Sequence, residues 1–207
     1  MKPYGKFIAF EGCEGVGKST QLLLLKDYLE RTGQQAVFTR EPGGTPLAEK
    51  IRAIILGEKI PAETEALLFA AARADHIVSV IMPALCDGKI VVCDRFLDSS
   101  LAYQAYARNL GEERVLNFNA FAVENCMPDV TLFIDQNPLE SFRRQKGKTV
   151  ENDRMECEPD AFHLAVYDGF KVLADKYARF ECVVPEEQKP ATNAKIVAAL
   201  IKRGVIR

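Results

Sequence analysis

The sequence contains few histidines and no closely paired cysteines. Its two histidines, His76 and His163, stand alone and indicate neither a metal site nor a catalytic triad. Six cysteines are present, but none belongs to a C-x-x-C pair and their spacings match no zinc motif. Cys93 and Cys182 lie in apolar, strand-like runs. We therefore expect free, mostly buried thiols in a reducing compartment.

The sequence also lacks an excess of charge and a long apolar run. Its 27 Lys and Arg residues nearly balance 29 Asp and Glu residues, which leaves no electrostatic footprint for duplex nucleic acid. No uninterrupted apolar run approaches the roughly 18 residues that indicate a membrane span. The first residues lead directly into a predicted strand and leave no room for a cleaved signal peptide. We expect one cytoplasmic domain, 1–207, that binds neither nucleic acid nor membranes.

What the sequence does contain is a glycine-rich loop, GCEGVGKS, which fits the pattern G-x-x-x-x-G-K-[ST]. Its glycines let several backbone N–H groups point at one anion. Lys18 can reach the β- and γ-phosphates of a nucleotide, and the Ser19 hydroxyl can ligate Mg²⁺. An apolar run precedes the loop and a helical pattern follows it, as the motif requires. The loop therefore predicts a nucleoside triphosphate site formed by Gly12, Cys13, Glu14, Gly15, Val16, Gly17, Lys18, Ser19 and Thr20.

Cys13 carries a separate hypothesis. It lies within the glycine loop, close to the start of the following helix. A helix N-terminus favours a thiolate. We therefore expect Cys13 to be sensitive to oxidation.

Predicted strands alternate with predicted helices along the whole chain. The strands cover about 6–10, 35–39, 89–93, 130–135 and 181–184. The helices cover about 20–32, 46–56, 62–87, 98–107, 112–125, 159–177 and 194–202, and a further helix starts at Pro138. Continuous apolar strands indicate burial on both faces of a parallel sheet. The pattern predicts a three-layer α/β fold of the P-loop NTPase type, with a five-stranded parallel sheet and helices on both faces.

Two residues give specific helix signals. Thr45 is suited to cap the helix that begins with Pro46. Pro83 lies inside the long helical pattern at 62–87 and is expected to bend that helix.

Charged residues follow the predicted strands at their carboxyl ends, where ligands bind in open α/β sheets. They are Glu11, Arg40, Asp94, Arg95 and Asp135. Asp94 has the position of a Walker-B acid, which orders Mg²⁺ or its water ligands. For Asp135 we favour a structural role, as a cap on the turn before Pro138.

A basic segment, interrupted by Gly147, contains Arg143, Arg144, Lys146, Lys148 and Arg154. Such a run is most often a solvated surface. Because this one breaks a helical pattern, we interpret 143–157 as a small lid inserted in the domain. Its cations would neutralise transferring phosphates and exclude water.

Four blocks of the sequence match one known family. They are 10–19, 39–45 (TREPGGT), 69–73 (FAAAR) and 94–104 (DRFLDSSLAYQ), with a weaker match over 162–170. By these motifs the chain resembles bacterial thymidylate kinases, in the branch that carries a basic lid. The resemblance implies Mg²⁺-dependent transfer of the ATP γ-phosphoryl group to dTMP, giving dTDP. It also implies a homodimer formed through helices.

The resemblance assigns roles around the phosphates and the metal. Arg40 and Arg95 would hold the dTMP phosphate, since a guanidinium fork suits a phosphate face. Glu11 and Asp94 would organise Mg²⁺ and its waters together with Ser19. Arg95 and Asp94, with Lys18 and Glu11, would thus form the catalytic set outside the lid.

The resemblance also assigns roles around the base. Phe69 would stack on thymine, and Arg73, four residues later on the same helix face, would donate to a thymine carbonyl. The remaining substrate contacts would come from Ser99, Ser100, Tyr103 and Gln104, with Tyr103 filling the space beside the sugar 2′ position.

The chain departs from the family pattern at several cations. Its glycine loop has no basic residue before Lys18, so the resemblance moves catalytic charge to Arg144 and Lys148 in the lid. Lys146 and Lys148 stand where arginine is common, and lysine lacks the bidentate fork. Ala165 and Tyr167 replace two further arginines.

Three alternatives remain open at this point. A kinase for another nucleoside monophosphate is the nearest one, although the block at 94–104 argues against it. A GTP-binding switch protein would carry N-K-x-D and D-x-x-G motifs, and we find neither. A binding module without turnover would have little use for an intact Lys18, Ser19, Asp94 and Arg95.

Overall fold

The computed structural model describes residues 5–145 and 154–207, with residues 144 and 145 described by their backbone alone. Within these residues five parallel strands form one sheet in the order β2-β3-β1-β4-β5. The strands are β1 (Lys6–Glu11), β2 (Ala36–Arg40), β3 (Ile90–Asp94), β4 (Val130–Ile134) and β5 (Phe180–Val183). The predicted five-stranded parallel sheet is confirmed.

The central strands are apolar because both of their faces are covered. Every residue of β4 is buried, as are Phe7–Glu11 of β1 and Ile90–Cys93 of β3. The edge strands β2 and β5 are more exposed. This gradient is expected for a parallel sheet between two helical layers.

The helices fall into two packed groups. They are α1 (Lys18–Arg31), α2 (Pro46–Gly57), α3 (Ala62–His76), α4 (Met82–Cys86), α5 (Leu97–Ser100), α6 (Glu112–Val123), α7 (Pro138–Gln145), α8 (Asp160–Lys176) and α9 (Lys189–Lys202). Helix α1 packs against α9, and α3 packs against α2 and α6. Helix α8 packs against Leu101–Ala107, the helical segment that continues α5. This is the predicted three-layer α/β architecture. Helix α9 begins earlier than expected, with Pro190 in its first turn, a position that proline suits.

Helix α2 begins as its capping signal predicts. The Thr45 side chain accepts a hydrogen bond from the Ala48 backbone nitrogen at 3.0 Å, and Pro46 is the first helical residue. A side-chain acceptor at this position satisfies a backbone N–H group that the helix itself leaves unpaired. The predicted cap is confirmed.

Two helices of the described part of the chain contain π-helical segments. Ile77–Ile81 joins α3 to α4 just before Pro83, and Leu101–Ala107 continues α5. Pro83 has no backbone N–H to donate to the preceding turn, and a locally widened turn is one way in which a helix accommodates that loss. A π-helical segment thus lies just before Pro83, and the predicted bend of the helix stays a prediction.

The capping role assigned to Asp135 is wrong. Asn137 caps α7, since its Oδ1 accepts a hydrogen bond from the Leu139 backbone nitrogen at 2.9 Å. Asp135 lies too early in the chain to reach that nitrogen and instead accepts hydrogen bonds from Tyr167 (2.7 Å) and Lys171 (3.0 Å) on α8. The acid thus ties the end of β4 to α8.

Among the described residues, one continuous helical stretch, Ala62–Cys86, has the length and mean hydropathy (1.4) of a membrane span. Its sequence has no uninterrupted apolar run of that length, because charged residues are interspersed. In the fold it packs against α2 and α6. Core helices of globular proteins share this length and composition.

Candidate active site

The glycine loop connects β1 to α1 and is folded around its own lysine. Lys18 Nζ donates hydrogen bonds to the carbonyl oxygens of Gly12 (3.0 Å) and Cys13 (2.8 Å). Gly12 and Gly17 have φ angles of 147° and 94°, which other residues rarely adopt, and a Cβ at Gly12 would lie 3.2 Å from the Ile134 oxygen. Burial, with Arg95 nearby, lowers the pKa of Lys18. The loop is thus preformed, with its lysine held inside it.

A cavity of about 440 Å³ extends from this loop along the carboxyl edge of the sheet. Most of the predicted site residues line it: Glu14, Gly15, Gly17, Lys18, Ser19, Thr20, Phe69, Asp94, Arg95, Ser99, Ser100, Tyr103 and Gln104. Six further residues line the cavity that were not predicted as site residues: Glu41, Pro42, Arg52, Leu56, Met155 and Glu156. The fold therefore brings the triphosphate loop and the predicted base-binding residues to one cavity.

Arg95 contacts both the glycine loop and the predicted substrate-binding residues of this cavity. Its Nη1 donates to the Gly12 oxygen (2.9 Å) and Ser99 Oγ (3.2 Å), and its Nη2 donates to Glu14 Oε1 (3.1 Å). The guanidinium also lies over the Tyr103 ring, 5.2 Å from its centroid. Arg95 has a φ of 70°, an uncommon backbone conformation that tends to occur at functional sites.

Glu14 is an acidic residue inside the glycine loop. Its carboxylate accepts hydrogen bonds from Arg95 and Tyr103 and lies 3.5 Å from His163 Nδ1. Burial alone would raise the pKa of Glu14, but Arg95, His163 and Lys18 outweigh it and lower the pKa to about 2. Glu14 is therefore a carboxylate at neutral pH and orients Arg95.

Glu11 is buried behind the loop rather than at the cavity wall. Its Oε1 accepts from the backbone nitrogens of Phe96 (2.8 Å) and Ser99 (3.2 Å), and its Oε2 accepts from Ser99 Oγ (2.5 Å). Burial and the nearby Asp98 raise the pKa of Glu11 to about 7, against the opposing effect of Arg95. In this arrangement both carboxylate oxygens are engaged by the start of α5, and the predicted metal role of Glu11 stays a prediction.

Asp94 and Ser19 remain suited to hold a cation. Asp94 Oδ1 is buried and has no hydrogen-bond partner among residues 5–145 and 154–207. Both side chains line the cavity. A carboxylate and a hydroxyl oxygen match the hard oxygen ligands that Mg²⁺ prefers.

Arg73 lies one side chain behind the cavity wall. Its Nε donates to Glu41 Oε2 (2.8 Å), its Nη1 to Asn119, and its Nη2 to the Phe96 oxygen and Ser100 Oγ (both 3.1 Å). The side chain is 1 % exposed. Arg73 thus supports Ser100, which lines the cavity, and its predicted contact with a thymine carbonyl stays a prediction.

Arg73 belongs to a buried polar network that also includes His76. His76 Nδ1 lies 2.9 Å from Glu41 Oε1, and its Nε2 lies 2.6 Å from Thr39 Oγ1. Glu41, His76 and Cys93 place ligand-type atoms within 4.8 Å of one another. Because both ring nitrogens and both carboxylate oxygens already have partners, the cluster is a hydrogen-bond network rather than a set of open ligands.

Arg40 is not among the residues that line the cavity. It lies at the carboxyl end of β2, as predicted, and beside Asp94, but its guanidinium pairs with Glu49 Oε1 at 2.8 Å and is half exposed. Arg52 of α2 lines the cavity instead and donates to the Pro42 oxygen at 3.0 Å. Arg52 was missed because nothing in the local sequence distinguishes it from a surface arginine of a helix.

Two predicted lid cations lie outside the described residues. Lys148 is not described at all, and Arg144 is described by its backbone but not by its side chain. Arg154 is described, and it is anchored to the protein. It donates to the Ile55 oxygen (3.0 Å) and to Glu65 Oε2 (2.5 Å). The expectation that Arg154 belongs to a set of cations available for phosphates does not hold in this structure, because a buried carboxylate holds it.

The hypothesis that Cys13 is a reactive thiolate is wrong. The side chain is fully buried, and burial with the adjacent Glu14 raises the pKa of the thiol to about 12. Of the six free cysteines, Cys13, Cys93 and Cys126 are buried, whereas Cys86, Cys157 and Cys182 are exposed. The expectation of mostly buried thiols therefore holds for only half of them.

A glycine loop between a central parallel strand and a helix, facing an arginine- and aromatic-lined cavity, defines a P-loop phosphotransferase. The family model described as thymidylate kinase matches residues 10–196. The chain belongs to the thymidylate kinase family. Its reaction is the phosphorylation of dTMP to dTDP, with ATP as the phosphate donor.

Individual relatives agree with this assignment over nearly the whole chain. The chain is 50 % identical to thymidylate kinase of Anoxybacillus flavithermus over 175 residues, covering 83 % of this chain and 84 % of that one. It is 43 % identical to thymidylate kinase of Finegoldia magna over 203 residues, covering 97 % and 100 %. A crystal structure of thymidylate kinase from Ehrlichia chaffeensis superposes with a TM-score of 0.77 at 30 % identity, covering 95 % and 98 %.

Proposed function

We propose that ATP binds with its phosphates in the Gly12–Thr20 loop and that dTMP occupies the cavity between Phe69, Gln104 and Arg95. The observation that carries this proposal is the single cavity that both the loop and these side chains line. A donor and an acceptor held side by side in one cavity react as an intramolecular pair, which removes much of the entropic barrier.

Arg95 and Lys18 are the cations at the point where the two phosphates meet. Both donate to the Gly12 carbonyl oxygen, so they converge on one position at the mouth of the loop. When phosphates bind, their oxygens replace these backbone acceptors. The acceptor phosphate oxygen is already a nucleophile, so the reaction needs positioning and charge neutralisation rather than a general base.

The base lies against Phe69 and the start of the π-helical segment. Phe69 is partly buried and lines the cavity together with Ser100, Tyr103 and Gln104. A planar ring beside hydrogen-bonding groups suits a planar base with polar edges. Tyr103 is held by Glu14 and Arg95, which fixes its ring beside the sugar.

The reaction depends on Mg²⁺ held by Asp94 and Ser19. The unpartnered, buried Asp94 Oδ1 supports this assignment. The ion would neutralise charge on the β- and γ-phosphate oxygens. We expect chelation to abolish turnover and Asp94→Asn to raise the Mg²⁺ concentration for half-maximal activity by about tenfold or more.

The remaining catalytic charge comes from Arg144 and Lys148 in the lid, 143–157, of a single domain. The composition of the glycine loop supports this proposal. The loop contains the acid Glu14 and no basic residue other than Lys18, so it supplies no second cation for the phosphates. The Glu14 carboxylate pairs with Arg95. Further cations from outside the loop are therefore needed to neutralise the charge on the transferring phosphoryl group.

A homodimer is proposed through α3 and α6. The apolar positions Ala70 and Ala105 are 6 % and 4 % exposed and belong to the core. Leu67, Val78 and Phe121 are 51 %, 73 % and 92 % exposed. They lie on α3, its continuation and α6, which pack against each other. An exposed apolar surface of this kind marks an association site.

We place the enzyme in the cytoplasm, with ATP and dTMP as its small-molecule partners and without nucleic-acid or membrane binding. The balance of charge, net −2, supports this. The packing of the apolar helix Ala62–Cys86 against α2 and α6 also supports it.

A coupled assay of ADP release tests the proposal. It compares dTMP with CMP, GMP and AMP as acceptors under identical ATP and Mg²⁺ concentrations. We expect kcat/KM for dTMP to exceed that for each of the other three by about 100-fold or more. Comparable turnover of any of these three would overturn the assignment of the cavity to dTMP.

A further inference from the structure

A fully buried carboxylate, Glu65 of α3, lies behind the proposed base site. Its Oε1 accepts a hydrogen bond from Gln104 Nε2 at 2.9 Å. Two guanidinium groups surround the same carboxylate: Arg154 donates to Oε2 at 2.5 Å, and Arg108 approaches Oε1 at 3.4 Å. The two cations offset the cost of burying this charge.

This contact fixes which way the Gln104 amide faces. A carboxylate can only accept hydrogen bonds, so the amide nitrogen of Gln104 must face Glu65. The carbonyl oxygen, Oε1, is then turned away from Glu65. Because Gln104 also lines the cavity, the carbonyl oxygen turned away from Glu65 is an acceptor for the base.

An acceptor on this wall selects among pyrimidines. When thymine is attached to a sugar through N1, its only N–H group is the imide N3–H. At the same ring position cytosine carries a bare nitrogen, which is itself an acceptor. Two acceptors facing each other leave both unsatisfied, and sites built around a polar contact reject such mismatches strongly.

We propose that Glu65 is a positioning residue that sets pyrimidine specificity by holding the Gln104 amide with its carbonyl oxygen toward the N3–H group of the base. The inference rests on the proposed location of the base beside Gln104. Glu65 does not touch the substrate and acts through Gln104.

The test compares Glu65→Gln with Glu65→Asp. Glutamine keeps the shape of Glu65 but offers both a donor and an acceptor, so the Gln104 amide can turn over. Aspartate is shorter by one methylene but remains acceptor-only. We expect Glu65→Gln to raise the dTMP KM and to raise the dCMP-to-dTMP ratio of kcat/KM, each by about tenfold. Glu65→Asp keeps the ratio near that of the unmodified enzyme.

A purely structural role for Glu65 predicts the opposite ranking. The shorter aspartate would then be the more damaging change, and both variants would lower the active fraction without altering the dCMP-to-dTMP ratio. Glu158→Gln is the matched control, because Glu158 also accepts from Arg108, at 2.5 Å. Its ratio is expected to be unchanged. An unchanged ratio in Glu65→Gln overturns the inference.

Glu65→Gln leaves Arg154 facing a neutral group in a buried position, which endangers folding. If that variant does not fold, the ratio is measured in Glu65→Gln/Arg154→Gln against Arg154→Gln alone. Gln104→Met distinguishes the proposed location of the base from the proposed role of Glu65. If it leaves dTMP use unchanged, the proposed base location fails; if it impairs dTMP use while both Glu65→Gln comparisons show no change in ratio, only the role of Glu65 fails.

Discussion

Arg95 is paired with Glu14 across the active site, with 3.1 Å between Nη2 and Oε1. The residue proposed to hold the acceptor phosphate is therefore oriented by an acid of the loop proposed to hold the donor phosphates. The same carboxylate accepts a hydrogen bond from Tyr103. Loop, arginine and tyrosine thus form one unit, so the position of either substrate depends on the other half of the cavity.

Arg95→Ala should act mainly on dTMP, and Lys18→Ala on the reaction with ATP. Each is expected to lower kcat/KM by about 100-fold or more, because each removes a cation next to the transferring group. Steady-state kinetics with each substrate varied in turn checks this. Arg95→Lys is the control that keeps the charge but loses the fork. If the rate of the Arg95→Ala enzyme depends on dTMP concentration as in the unmodified enzyme, the assignment of Arg95 to the dTMP phosphate is wrong.

Glu11→Gln should flatten the pH dependence of stability between about pH 5 and pH 7. The pKa of Glu11 is raised from 4.5 to about 7 in the folded state, so the folded protein binds more protons than the unfolded chain. Its contribution to stability is therefore full below pH 4.5 and is lost as the pH rises through 7. This difference corresponds to about 3 kcal/mol.

Urea unfolding at several pH values measures this effect. Glutamine keeps an oxygen for the Phe96 and Ser99 nitrogens, so Glu11→Gln should gain stability relative to the unmodified protein as the pH rises. The surface variant Asp27→Asn serves as a control, because Asp27 is 61 % exposed. If Glu11→Gln and the unmodified protein keep parallel pH profiles, Glu11 does not titrate in this range.

Features set by local sequence could be predicted. The glycine loop, the Thr45 cap and the order of strands and helices depend on neighbouring residues and on apolar periodicity. The gathering of Asp94, Arg95 and the loop at one edge also followed, because parallel strands present their carboxyl ends together.

Features set by long-range packing could not be predicted. Arg73 contacts Glu41, 32 positions earlier, and Arg154 contacts Glu65, 89 positions earlier. No local pattern indicates which acid will hold which arginine. The reactivity assigned to Cys13 failed for the same reason, because the helix N-terminus is visible in the sequence but the burial that outweighs it is not.

Phe121→Glu should dissociate the proposed homodimer. Phe121 is 92 % exposed on α6, and a charge there would have to be desolvated on association. Light scattering coupled to size-exclusion chromatography measures the mass. Val172→Glu is the control, since Val172 is 46 % exposed on α8, a helix outside the proposed α3 and α6 interface, and should not change the mass. A monomeric unmodified enzyme, or a dimeric Phe121→Glu variant, would contradict the proposed interface.

Thiol labelling of the native protein should modify the three exposed cysteines, Cys86, Cys157 and Cys182, and spare Cys13. The thiolate is the reactive form, and the raised pKa of Cys13, about 12, keeps it protonated at pH 8 within a fully buried site. Mass spectrometry after brief alkylation counts the labels, and unfolding in urea should expose all six thiols. Cys13→Ala should show the same native count as the unmodified protein. A count that falls by one in Cys13→Ala, or that added ATP lowers by protecting Cys13, would restore the reactive thiol that burial argues against.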